Sequence, residues 1–103
     1  MKYGEHVMTD TIKLSGIDYS VDTFDMDVDR NLMGRLSYDT AQIFIRKDIP
    51  LDKKLETLLH EVMHVVYMNA GLQSGDEEEK VVTAMSSGVY QFLKDNKDVY
   101  RIP

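Results

Sequence analysis

The spacing of apolar residues changes once along this chain, and the change falls at Pro50. Before it, apolar and polar residues alternate; after it, apolar residues recur every third or fourth position. Period two belongs to a strand with one covered face, and period 3.6 to a helix with one covered stripe. Ile12 and Leu14 alternate with Thr11, Lys13 and Ser15, and Ile17, Tyr19 and Val21 alternate with Asp18, Ser20 and Asp22. The Ser15-Gly16 pair between these runs predicts a hairpin. Leu36 and Tyr38, then Ala41, Ile43 and Ile45, repeat the pattern. Phe44 interrupts the polar face of the last run, which predicts a strand covered on both sides. Clean alternation elsewhere predicts an antiparallel sheet with one face towards water.

After Pro50, a first-turn residue by its missing N–H, Leu55, Leu58, Leu59, Val62 and Val66 form one stripe of a helix over about 51–71. Gly71-Leu72 closes it in the manner of a C-cap. A second helix over about 76–95 carries Val82, Met85, Ser86, Val89 and Leu93. Strands first and helices second predict an α+β domain: a small antiparallel sheet of three or four strands over about 11–46, followed by two antiparallel helices packed on one face of it. A chain of 103 residues holds one modest core, so 1–103 is expected to be a single domain.

Composition narrows the function. Twelve basic residues against eighteen acidic ones give a net charge of −6, which argues against nucleic acid as the partner. The absence of cysteine removes disulfides, thiolate nucleophiles and Cys-based metal sites. No stretch has the length and apolarity of a membrane span or of a secretory h-region, so the expected setting is the cytoplasm. Asp25, Asp27 and Asp29 resemble the start of a calcium loop. Arg30 and Leu36 stand where such a loop needs Gly and a bidentate Glu, so a solvated acidic loop is the better reading.

One motif carries chemistry: His60-Glu61-Val62-Met63-His64, inside the first helix. Histidines at i and i+4 project from one helix face and can converge on one ion, with Zn²⁺ the metal this pattern suggests. Glu61 is rotated off that face. It suits a general base acting on a water molecule better than it suits a ligand. With three His and six Glu in 103 residues, the pattern arises by chance in about 0.5% of chains of this composition. The apolar stripe lies roughly opposite the two histidines, leaving their face to something other than the sheet.

A catalytic zinc keeps three protein ligands and one open position. The third ligand is expected from the acidic start of the second helix, where Glu77, Glu78 and Glu79 are all available, or from His6. Face geometry points to Glu78, which stacks one turn before Val82, while Glu79 borders the same stripe. Acidic residues also belong in a first turn for dipole reasons, and Asp76-x-x-Glu79 has the form of a capping box.

The segments TLLHEVMHVVYMNAGL and EKVVTAMSSGVYQFLKDN resemble small HExxH proteins of phages of Gram-positive bacteria. Those resemble in turn the immunity metallopeptidases of mobile elements, which cleave phage-type repressors, and more distantly the gluzincins. The resemblance covers about residues 32–96. It implies a minimal zincin-like fold, and Glu79, followed by Val82, Met85 and Ser86, as the downstream ligand, with Glu78 in reserve. Met63 stands where the immunity peptidases carry Gly. The resemblance also implies a repressor-type protein as a possible substrate and the cytoplasm of a bacterial host as the location.

The expected function is therefore zinc-dependent peptide hydrolysis, with His60, His64 and Glu79 as metal ligands and Glu61 as the catalytic base. The alternative is a zinc-binding protein that uses the ion for structure or partner binding without catalysis. A peptide or protein substrate is expected, with no nucleic acid and no membrane; Ala41–Arg46 is the expected strand edge for it. Tyr67, Tyr90, Tyr100 and His6 are the candidates for stabilising a developing oxyanion.

Overall fold

A computed structural model of the protein describes residues 11–25 and 32–98. Strands β1 (Thr11–Leu14), β2 (Ile17–Phe24), β3 (Gly34–Ser37) and β4 (Gln42–Arg46) are followed by helices α1 (Leu51–Asn69) and α2 (Asp76–Asp95). The chain is α+β, with strands and helices in the expected order. His6, Asp27, Asp29 and Tyr100 lie outside the described residues.

Ser15 and Gly16 both adopt positive φ, at 51° and 83°, and join β1 to β2 with Leu14 opposite Ile17. This is the two-residue turn whose twist matches the strands it connects. Ala41, at φ 52°, closes the second hairpin, which pairs Ser37 with Gln42.

The sheet is mixed rather than purely antiparallel: its order is β1-β2-β4-β3, and β2 pairs with β4 in parallel. Alternation tells which side chains face inward but not which strands become neighbours. Ile43 and Ile45 are fully buried on one face of β4, and on the other Phe44 is half-buried beneath the Arg35 guanidinium, 4.5 Å from the ring centroid. A strand apolar on both faces gains most from a central position, and β4 takes it. Ala41–Arg46 is consequently no free edge; the edge strands are β1 and β3.

Tyr19, Val21, Ile43, Ile45 and Val65 form the buried core, with Ile12, Leu14, Leu36, Leu55, Leu58 and Val62 packed around it. The covered stripe of α1 is rotated by less than half a residue step from the expected line. Val65 is 1% exposed and Val66 is 51% exposed, because 100° per residue places Val65 about 20° from Leu58, on the side away from Val62, and swings Val66 to the opposite rim. Pro50 is the N-cap, one residue ahead of the first turn.

Among the described residues, helix α2 packs against α1 and not against the sheet. The molecule is therefore layered as sheet, α1, α2, instead of carrying both helices on the sheet. The inward line of α2 runs through Glu78, Val82 and Ser86, while Met85 is exposed. Only a narrow apolar line is needed where a helix covers another helix, which is why Met85 can face outward. Among the described residues no helix is long and apolar enough to cross a membrane.

Candidate metal centre

Because α1 lies on the sheet through Leu58, Val62 and Val65, its opposite side carries His60 and His64. Their ring centroids are 4.9 Å apart with planes inclined by 70°. The turn after α1 brings the start of α2 back beside this face. Gly75 is the N-cap of α2 and no side chain caps the helix, so the expected Asp76–Glu79 capping box does not form. Glu79 is turned instead towards the histidines.

Glu79 spans both rings. Its Oε2 lies 3.1 Å from His60 Nε2 and its Oε1 3.1 Å from His64 Nε2. Thr83 Oγ1, one turn on, donates to Glu79 Oε2 at 3.2 Å. One donor atom from each of His60, His64 and Glu79 falls within 4.8 Å of the others, so these three residues could hold a metal ion. Donors bound about 2.1 Å from a tetrahedral ion sit about 3.4 Å apart. The His–Glu separations are close to that spacing, and the three donor atoms lie within 4.8 Å of one another.

Glu78 is turned to the other edge of His64. Its Oε2 accepts from His64 Nδ1 at 2.7 Å, and the residue is buried at 8% exposure. The His64 hydrogen bond holds the Glu78 carboxyl below its ordinary range against the opposing effect of burial, and a hydrogen bond with Ser74 adds to the lowering. Glu77, the remaining sequence candidate, is exposed and outside the group.

Glu61 sits on the flank of α1 between the sheet-facing side and the histidine face. It is 8% exposed and has no hydrogen-bond or ion-pair partner among the described residues. Burial pushes its carboxyl up to about 7, with His64 opposing the rise and the nearby Glu79 charge adding to it. The first residue of β3 makes room for it. A Cβ on Gly34 would lie 2.5 Å from Thr57 Cγ2 and 3.0 Å from Glu61 Oε2. Beside Glu61 and His60 opens a cleft of about 440 Å³, bounded by Met33 and Gly34 on one side and by Thr57, Thr83 and Ser86 on the helices. A larger apolar groove of about 590 Å³ lies between Ile12, Leu59 and Leu93 and contains none of the metal-site residues.

No protein-family model, no curated protein and no solved structure matches the chain. The site is therefore read from its own geometry.

Of the tyrosines named from sequence, Tyr67 and Tyr90 do not turn to this centre. Tyr67 donates its hydroxyl to the Gln73 carbonyl at 3.1 Å, and Tyr90 donates to the Asp52 carbonyl at 3.3 Å. Tyr38, which the sequence reading placed only in a strand, donates to the backbone carbonyl of His64 at 3.1 Å. Burial raises its phenol above the ordinary value, and the Glu78 charge contributes after it. No sequence signal distinguishes Tyr38. Gly34 did carry one, since a glycine opening a strand often marks a close backbone approach.

Proposed function

We propose that the protein is a minimal zinc-dependent metallopeptidase. The observation that carries this reading is Glu61: a buried carboxyl group without a hydrogen-bond partner among the described residues, one residue from a convergent His–His–Glu donor set. Burying such a group without a partner is costly, and a purely structural metal site has no use for it. Two imidazoles and a carboxylate, with no thiolate, suit zinc and leave a position for water.

His60, His64 and Glu79 would hold the ion. When bound, zinc would acidify a water molecule and polarise a peptide carbonyl. Glu61 takes the proton of the attacking water and returns it to the leaving amine. A carboxyl near 7 is matched to accepting and giving a proton close to neutrality. The cleft between β3 and the helices would receive the substrate chain, and β3 replaces β4 as the edge beside the site along which a peptide could add as a strand.

The test is hydrolysis of a diverse peptide library by zinc-loaded protein, with Glu61→Gln as the control. Glu61→Gln should retain zinc and lose cleavage. Loss of zinc in that variant would make Glu61 a ligand and refute the assignment. A second reading, zinc as a structural tie, draws on the packing of α2 on α1 and not on the sheet among the described residues. Stoichiometric zinc with no cleavage of any peptide would favour it.

A further inference from the structure

Glu78 and Glu79 are consecutive in the first turn of α2, yet they meet opposite edges of one imidazole. Glu79 faces His64 Nε2 at 3.1 Å, and Glu78 accepts from His64 Nδ1 at 2.7 Å. The Glu78 side chain keeps 10% of its surface exposed against 64% for Glu79, so the two carboxylates are unlike in setting as well as in partner. Among the described residues, the polar partner of His60 is Glu79, at Nε2.

From this geometry we propose that Glu78 is a positioning residue for the metal centre, fixing His64 with its proton on Nδ1 and its Nε2 lone pair turned to the ion. The assignment rests on the metal-site reading above. An imidazole has one acceptor nitrogen when neutral, and the partner of the other nitrogen decides which one it is. A buried carboxylate on Nδ1 keeps the proton there and stops the ring from flipping, which would present the wrong nitrogen. It also raises the basicity of the ligating nitrogen. The first turn of α2 thus sets the orientation of a ligand on α1, and the contact at the far edge of the ring commits Glu78 Oε2 to His64 instead of to the ion.

The test uses ¹⁵N-labelled full-length protein with zinc alone as the probe. In the zinc-loaded wild type, long-range ¹H–¹⁵N correlation should show His64 metallated at Nε2, with a slowly exchanging, low-field Nδ1 proton. Glu78→Ala should lose that protected proton and weaken zinc binding by about 10- to 100-fold in chelator competition. Glu78→Gln, whose side-chain carbonyl can still accept, should keep the proton and most of the affinity; it also serves if the alanine variant fails to fold. Metallation of His64 through Nδ1, or wild-type zinc affinity in Glu78→Ala, would overturn the proposal. Zinc bound through Nε2 with the Nδ1 proton in place but no hydrolysis would remove the peptidase reading and leave this assignment standing. Failure of the wild type to bind zinc would remove both.

Discussion

Glu61 should make the metal-free protein less stable as the pH rises. Its carboxyl lies at about 7 in the fold against an ordinary 4.5, because burial disfavours the charged form. Between those values the folded state holds a proton that the unfolded chain has released. Stability is thus fully present below the unfolded pKa, falls as the pH climbs towards 7, and levels off above it. The displacement corresponds to about 3 kcal/mol, a large share of the roughly 5–15 kcal/mol that holds a domain together. Glu61→Gln keeps the shape without the charge and should remove this dependence. Urea unfolding of both proteins in EDTA at pH 5, 6, 7 and 8 measures it, since the difference between them cancels every other titrating group to first order. The variant should gain on the wild type between pH 5 and 7, flatten between pH 7 and 8, and end about 3 kcal/mol ahead at pH 8. A difference that stays constant from pH 5 to pH 8 would show that Glu61 is not held in a desolvated site, and the argument for its role would fail with it.

Gly34→Ala should cost about 1–3 kcal/mol in thermal or urea unfolding, because its Cβ meets Thr57 Cγ2, and pairing it with Thr57→Ser, which deletes that methyl, should recover most of the loss. Glu79→Gln should lower zinc affinity more than tenfold in a chelator competition while apo stability moves by less than about 1 kcal/mol. Asp76→Ala should change apo stability by no more than a dipole contribution of about 0.3–1 kcal/mol, since Gly75 is the N-cap. Val65→Ala should destabilise by about 1–3 kcal/mol in urea melts and Val66→Ala by under about 0.5 kcal/mol, which checks the placement of the α1 stripe.

The two halves of the fold were legible because hydrophobic period is a local property. Strand alternation and the Ser15-Gly16 turn need only neighbouring residues to be read. The parallel pairing of β2 with β4 depends on competition between distant segments for the centre of the sheet, and no local pattern records its outcome. Val65 and Val66 differ by one step of 100°, finer than a stripe of five residues can resolve. The histidine pair was readable from its i, i+4 spacing alone. Glu78 and Glu79 were not separable in the same way, because their roles depend on which edge of His64 each one meets. That is fixed by how α2 is set against α1. The glycine at position 34 signals a close approach, but which side chains approach it, Thr57 and Glu61, is set by how α1 lies on β3.

The layering of sheet, α1 and α2 divides the donor set between two bodies joined by one short turn. His60 and His64 ride on the helix anchored to the sheet, and Glu79 rides on the helix that, among the described elements, packs on α1 alone. An ion bound there would act as a clasp. Its binding energy would go into holding α2 down, adding about 4 kcal/mol when the free metal stands a thousandfold above its dissociation constant. Demetallation would then loosen the outer layer first and leave the sheet with α1 as a core able to close again. Amide exchange in α2 would report the metal content of the protein, while exchange in β4 would scarcely register it.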